Sequence, residues 1–109
     1  MQIKGSIDGI GLTNDYLRYP SQFSAIELAV DNILKYSEIE FCLTTALSNL
    51  SLLHFDKLVL WGINKGIRNH YISIVDDPDE LAVHRLPVSI KKSLLNTFVN
   101  LKNTIDCQY

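Results

Sequence analysis

Three stretches, within 21–35, 37–53 and 88–105, repeat apolar residues at helical spacing, and this constrains the chain more than any other feature. Phe23, Ile26, Val30, Ile33 and Leu34 form one stripe, and Leu94, Leu95, Phe98, Leu101 and Ile105 form another. An amphipathic helix cannot bury its stripe against itself, so each demands a second surface to pack on. A length of 109 residues leaves room for one globular domain, 1–109. At 47% hydrophobic and 20% charged residues, the composition supports one folded core and argues against disorder.

The rest of the chain is read around these stripes. Residues 1–20 hold Gly5, Gly9 and Gly11 among Ile3, Ile7, Ile10 and Leu12, which suits a short edge strand followed by a loop. Ser21, behind Pro20, is placed to cap the first helix. A second helix is expected from Ser37 to about Leu53. Ser37 with Glu40 reads as a capping box, and Ile39, Cys42, Leu43, Ala46, Leu47, Leu50 and Leu53 supply its apolar set. Carried on one straight helix, the two stripes of 21–53 would face opposite ways, so a break is expected at Tyr36-Ser37.

Residues 57–63 and 67–75 are β-rich runs joined by Asn64-Lys65-Gly66. They predict a hairpin, with a third helix over 55–65 as the competing reading. Asp77, Pro78, Asp79 and Glu80 make a helix start, with a short helix over 78–85 ending before Pro87. The final helix runs from about 88 to 105. The expected fold is therefore α+β and mostly helical: an N-terminal helix pair, one β-hairpin and a C-terminal helix. An all-α bundle is the alternative.

Chemistry-bearing motifs are scarce. Gly9-Ile10-Gly11 lacks the Gly-Lys-Ser/Thr ending of a phosphate loop and the third Gly of a dinucleotide turn. His54, His70 and His84 match no metal-ligand spacing, and Pro78 breaks any calcium-loop alternation in the acidic run. Cys42 lies on an apolar stripe and reads as a small packed hydrophobe; with Cys107, 65 positions on, it is expected to be a free thiol. Trp61 falls in the most apolar run and reads as core. No cofactor, metal or enzyme activity is expected.

The N-terminus has no apolar segment suited to a signal peptide, and no run approaches the roughly 20 apolar residues a membrane span needs, so a cytoplasmic location is expected. A net charge of −2 does not favour binding to nucleic acid. It suits a basic protein partner. Two sets of contact residues are expected: the acids Asp76, Asp77, Asp79 and Glu80, and the cluster Tyr16, Arg18 and Tyr19, residue types in which interfaces concentrate their energy. The functional expectation is a non-catalytic inhibitor of the bacterial immunity or antitoxin kind, which blocks a basic partner such as a toxic nuclease with its acidic surface. The alternatives are a small adaptor or oligomer subunit, a small enzyme with a carboxylate/His site, and a nucleic-acid-binding module.

Overall fold

A computed structural model of the chain describes residues 1–75, 82 and 86–108, with the side chains of 107 and 108 outside the description. In chain order the elements are β1 (Gln2–Ser6), α1 (Leu12–Leu17), α2 (Phe23–Ile33), β2 (Glu40–Leu47), α3 (Asn49–Leu52), α4 (Phe55–Asn64), β3 (Asn69–Ile74) and α5 (Val88–Gln108). The fold mixes helices with one sheet, is mostly helical and ends in a long helix, as the apolar spacing requires.

The three strands lie in the order β1-β2-β3, and both pairings are parallel. Gln2 is opposite Glu40 and Ser6 opposite Thr44; Cys42 is opposite Asn69 and Leu47 opposite Ile74. Parallel neighbours cannot be joined by a tight turn, so helices carry the chain back each time. Alternation along the strands puts Ile3, Ile7, Phe41 and Leu43 on one face. There they join Phe23 and Val30 of α2 and Leu58 of α4 in a single core, with Ile26, Ile33, Phe55 and Trp61 packed against it. Both crossovers therefore cover the same face.

The opposite face is polar and satisfied by its own members. Gln2 Nε2 donates to Cys42 Sγ at 3.4 Å, Ser6 Oγ and Thr44 Oγ1 share a hydrogen bond of 3.0 Å, and Lys4 Nζ sits 5.5 Å from the centre of the Tyr71 ring. Asn69 Nδ2 donates to Glu40 Oε1. Cys42 is a fully buried free thiol.

The first helical stripe lands where the sequence puts it, with Phe23 and Val30 buried. Its start differs. Gln22, not Ser21, is the N-cap residue, and the free Phe23 N–H donates to Asp15 Oδ1 of α1 at 2.6 Å. On the outer side of α2, Asp31 and Glu27 hold Lys65 of α4 at 2.8 and 3.5 Å, and Glu27 Oε2 accepts from Trp61 Nε1 at 2.6 Å. The hydrogen bond to Asp31 raises the Lys65 pKa above its ordinary value.

Two expected elements are corrected. The second helix, 37–53, is instead strand β2 followed by the single-turn helix α3. Phe41, Cys42 and Leu43 are all buried because β2 is the central strand: helices cover Phe41 and Leu43 on one face, and side chains of the flanking strands, Gln2 among them, close over Cys42 on the other, which erases the alternation that marks a strand. The capping box exists, but at Ser48 and Ser51. The hairpin over 57–75 is not formed: 55–64 is helix α4, and β3 pairs in parallel with β2. Asn64-Lys65-Gly66 is a helix end. Gly66 has φ +84, its N–H donates to Ile63 O, and the Ile67 N–H donates to Gly62 O. That pair of bonds is a Schellman motif, whose left-handed position favours Gly and whose next residue, here Ile67, turns into the core. Gly62 lies inside α4 because a Cβ there would come within 3.0 Å of Leu43 Cδ1. The helix must lie close on the sheet.

The expected short helix over 78–85 and the acids Asp76, Asp77, Asp79 and Glu80 lie outside the described residues. In α5, Leu94 is buried while Leu95, placed on the same stripe from sequence, is 63% exposed. Among the described residues, no helix is long and apolar enough to cross a membrane.

Candidate protein-binding surface

Parallel strands deliver their carboxyl ends to one edge of the sheet, where open α/β sheets place their ligand sites. Here β1 is followed by α1 and β2 by α3, and the two helices touch. The joint rests on a buried polar clamp. Asp8, just past β1, accepts from the Ala46 N–H of β2 at 2.9 Å. Arg18, at the end of α1, holds the same carboxylate with Nε 2.8 Å from Oδ2 and an NH2 donating to Oδ1 at 3.2 Å. The Asp8 N–H donates to Oδ1 of the fully buried Asn14 at 2.8 Å. One residue thereby locks β1, β2 and α1 together.

The other buried hydroxyls at this edge are engaged in the same way. Ser48 and Ser51 form the capping box of α3, and Ser51 Oγ also donates to Ala46 O at 3.1 Å. Thr45 Oγ1 donates to Ile7 O at 2.7 Å. A hydroxyl has one proton to give, so at its 2.7 Å contact with His70 Nε2 the same oxygen accepts. That assigns the Nε2–H tautomer to His70. Burial lowers the His70 pKa, and its ring packs 5.7 Å from Phe55. These groups build the fold. Among the described residues no cluster of His, Cys, Asp or Glu has the grouping a metal ion needs.

Above the clamp, α1 and α3 border a groove of about 380 Å³, lined by Leu12, Tyr16, Leu17, Leu50, Leu53 and His54. Leu12 is 84% exposed, Tyr16 76%, and the neighbouring Tyr19 87%. A larger depression of about 520 Å³ lies at the amino ends of the strands, with Glu38, Glu40 and Arg68 in its walls. Its lining mixes charges of both signs, whereas the α1–α3 groove sets aromatic and aliphatic side chains in the open.

Of the sequence-predicted contacts, Tyr16 and Tyr19 both come to the surface here, and Tyr16 lines the groove. Arg18 lies between them in the chain, but its guanidinium is engaged by Asp8 within the protein. The acids Asp76, Asp77, Asp79 and Glu80 fall outside the described residues. Sequence reasoning missed Leu12, Leu50 and the clamp itself. The available signal was Asp8, a lone acid directly after the apolar Ile3 and Ile7 and before the Gly9-Ile10-Gly11 turn. Comparison with known proteins gives no match: no family model, no curated protein and no solved structure matches this chain.

Proposed function

We propose that this chain is a non-catalytic, cytoplasmic protein-binding module, and that it acts as an inhibitor of a basic partner in the manner of immunity and antitoxin proteins. The observation that carries the binding reading is the α1–α3 groove, with Leu12 and Tyr16 exposed in its lining and Tyr19 exposed just beyond α1. Large apolar and aromatic side chains exposed together are the usual anchors of an interface. The net charge of −2 and the run Asp76, Asp77, Asp79 and Glu80 support a basic partner. In this reading the acids steer association and stand in for the phosphates a nuclease would bind, while the groove supplies the apolar contact. Arg18 serves by positioning α1 rather than by touching the partner.

The test is co-precipitation of the tagged chain from its native cells, repeated with Leu12→Asp/Tyr16→Ala and with Asp77→Lys/Glu80→Lys. The native chain should retain a basic protein. The first variant should lose it, and the second should bind more slowly and more weakly, by about 2–5 kcal/mol for buried pairs. Equal retention by both variants, with native circular dichroism, refutes the proposal. So does turnover of any substrate by the purified chain.

A further inference from the structure

We infer that the outer face of α5 binds an acidic amphipathic helix of another protein. This partner is distinct from the basic one that the α1–α3 groove and the acidic run would hold, and it meets other residues. The helix carries two apolar stripes. Leu94, Phe98, Leu101 and Ile105 turn inward: Leu94 is buried, and the Phe98 ring meets Phe55 of α4 edge-on at 6.3 Å. Val88, Leu95 and Val99 form the second stripe, about 110° further round the helix. They stay 66%, 63% and 50% exposed. α5 is about 30 Å long and packs on α4, which is about 15 Å long, so the inner contact leaves much of the longer helix uncovered.

The shape of the second stripe selects a helix. Spacings of seven and four residues set Val88, Leu95 and Val99 in a single row, one side chain wide. Exposed Lys92, Asn96 and Asn103 bound it on one side, and exposed Lys91 and Lys102 on the other. A narrow apolar row with polar flanks is what a second helix covers, its side chains seating between those of the first. A membrane surface takes up a broader apolar face with bulky or aromatic anchors.

Charge then selects the kind of helix. From Val88 to Ile105, α5 has three lysines and no acid, whereas the whole chain has a net charge of −2. Lys92 and Lys102 are in no ion pair among the described residues. Two copies paired α5 to α5 would gather the lysines of both with no acid between those bounds to offset them, which argues against a second copy of this chain. A partner helix with Glu or Asp beside its own apolar row answers the row and the lysines together.

The probe is a labelled synthetic helix of about three heptads, with Leu at a and d and Glu at e and g, titrated with the full chain by fluorescence anisotropy. The native chain should bind it with a dissociation constant below about 100 μM, and should bind the counterpart with Lys at e and g at least about 10-fold more weakly. Leu95→Asp and Lys92→Glu/Lys102→Glu should each weaken the acidic peptide at least about 10-fold, and the second variant should gain affinity for the Lys peptide, which a misfolded chain would not. If Leu95→Asp fails to fold, Val99→Asp replaces it. Leu12→Asp/Tyr16→Ala should leave the affinity unchanged, which separates this face from the α1–α3 groove. Equal affinity for the two peptides overturns the inference, as does unchanged binding by the folded variants or no binding up to about 1 mM. So does capture by anionic phosphatidylserine vesicles in place of the peptide, or self-association that Leu95→Asp abolishes.

Discussion

The Asp8–Arg18 clamp predicts a large loss of stability from one conservative change, Arg18→Met. Methionine keeps most of the aliphatic stem and removes only the guanidinium. The Asp8 side chain, 9% exposed, would then keep one donor, the Ala46 N–H at 2.9 Å, and lose contacts at 2.8 and 3.2 Å. Stripping one partner from a fully buried ion pair costs about 3–5 kcal/mol. The Arg18 side chain is 35% exposed, so water already screens part of the pair, and the expectation falls to about 2–3 kcal/mol. For a chain of this length, that lowers Tm by about 10–20 °C. Urea unfolding followed by circular dichroism reads the difference, with Asp8→Asn and the double variant completing a thermodynamic cycle. Because an amide needs no counter-charge, Arg18→Met should cost much less in the Asp8→Asn background. If Arg18→Met alone changes stability by less than about 0.5 kcal/mol, the clamp does not hold the carboxyl edge together.

Two further outcomes follow from the same geometry. Gly66→Ala should cost about 1 kcal/mol, because φ +84 strains any residue with a Cβ although the space around it is open; thermal unfolding measures it, and an unchanged Tm would contradict the Schellman assignment. Burial lowers the His70 pKa, so the unfolded chain takes up a proton before the folded one does, and stability from this group falls as pH drops below about 6.5; unfolding curves between pH 7.5 and about 5 should show that slope in the native chain and a flatter one in His70→Gln.

What the sequence reveals and conceals has a physical pattern. The α2 and α5 stripes are legible because each helix has one wet side, and a 3.6-residue period survives only where one side is wet. β2 is illegible for the opposite reason. Enclosed by a sheet neighbour on each side, with helices over one face and strand side chains closing over Cys42 on the other, Phe41-Cys42-Leu43 shows no alternation, and Ser37 with Glu40 imitates a cap. The Asn-Lys-Gly segment misleads because a hairpin and a helix C-terminus both need a left-handed Gly. Only the bonds from Gly66 and Ile67 back into α4 tell them apart. α1 is six residues long, too short for a period to register. At the candidate surface, Tyr16 and Tyr19 could be chosen by residue type, but Leu12 and Leu50 are ordinary aliphatics whose exposure depends on how α1 meets α3.

The order β1-β2-β3 also governs assembly on the ribosome. Ser6 waits 38 positions for Thr44, its hydrogen-bonded partner, so the first strand stays single until the middle one has emerged. Once Leu47 is out, two strands and the two helices between them, α1 and α2, can close as a unit, and the third strand adds to an existing template. Nonlocal pairings of this kind are slow to form. A truncation before residue 40 therefore leaves β1 without its neighbour, while one after residue 47 keeps the whole β1–β2 pair.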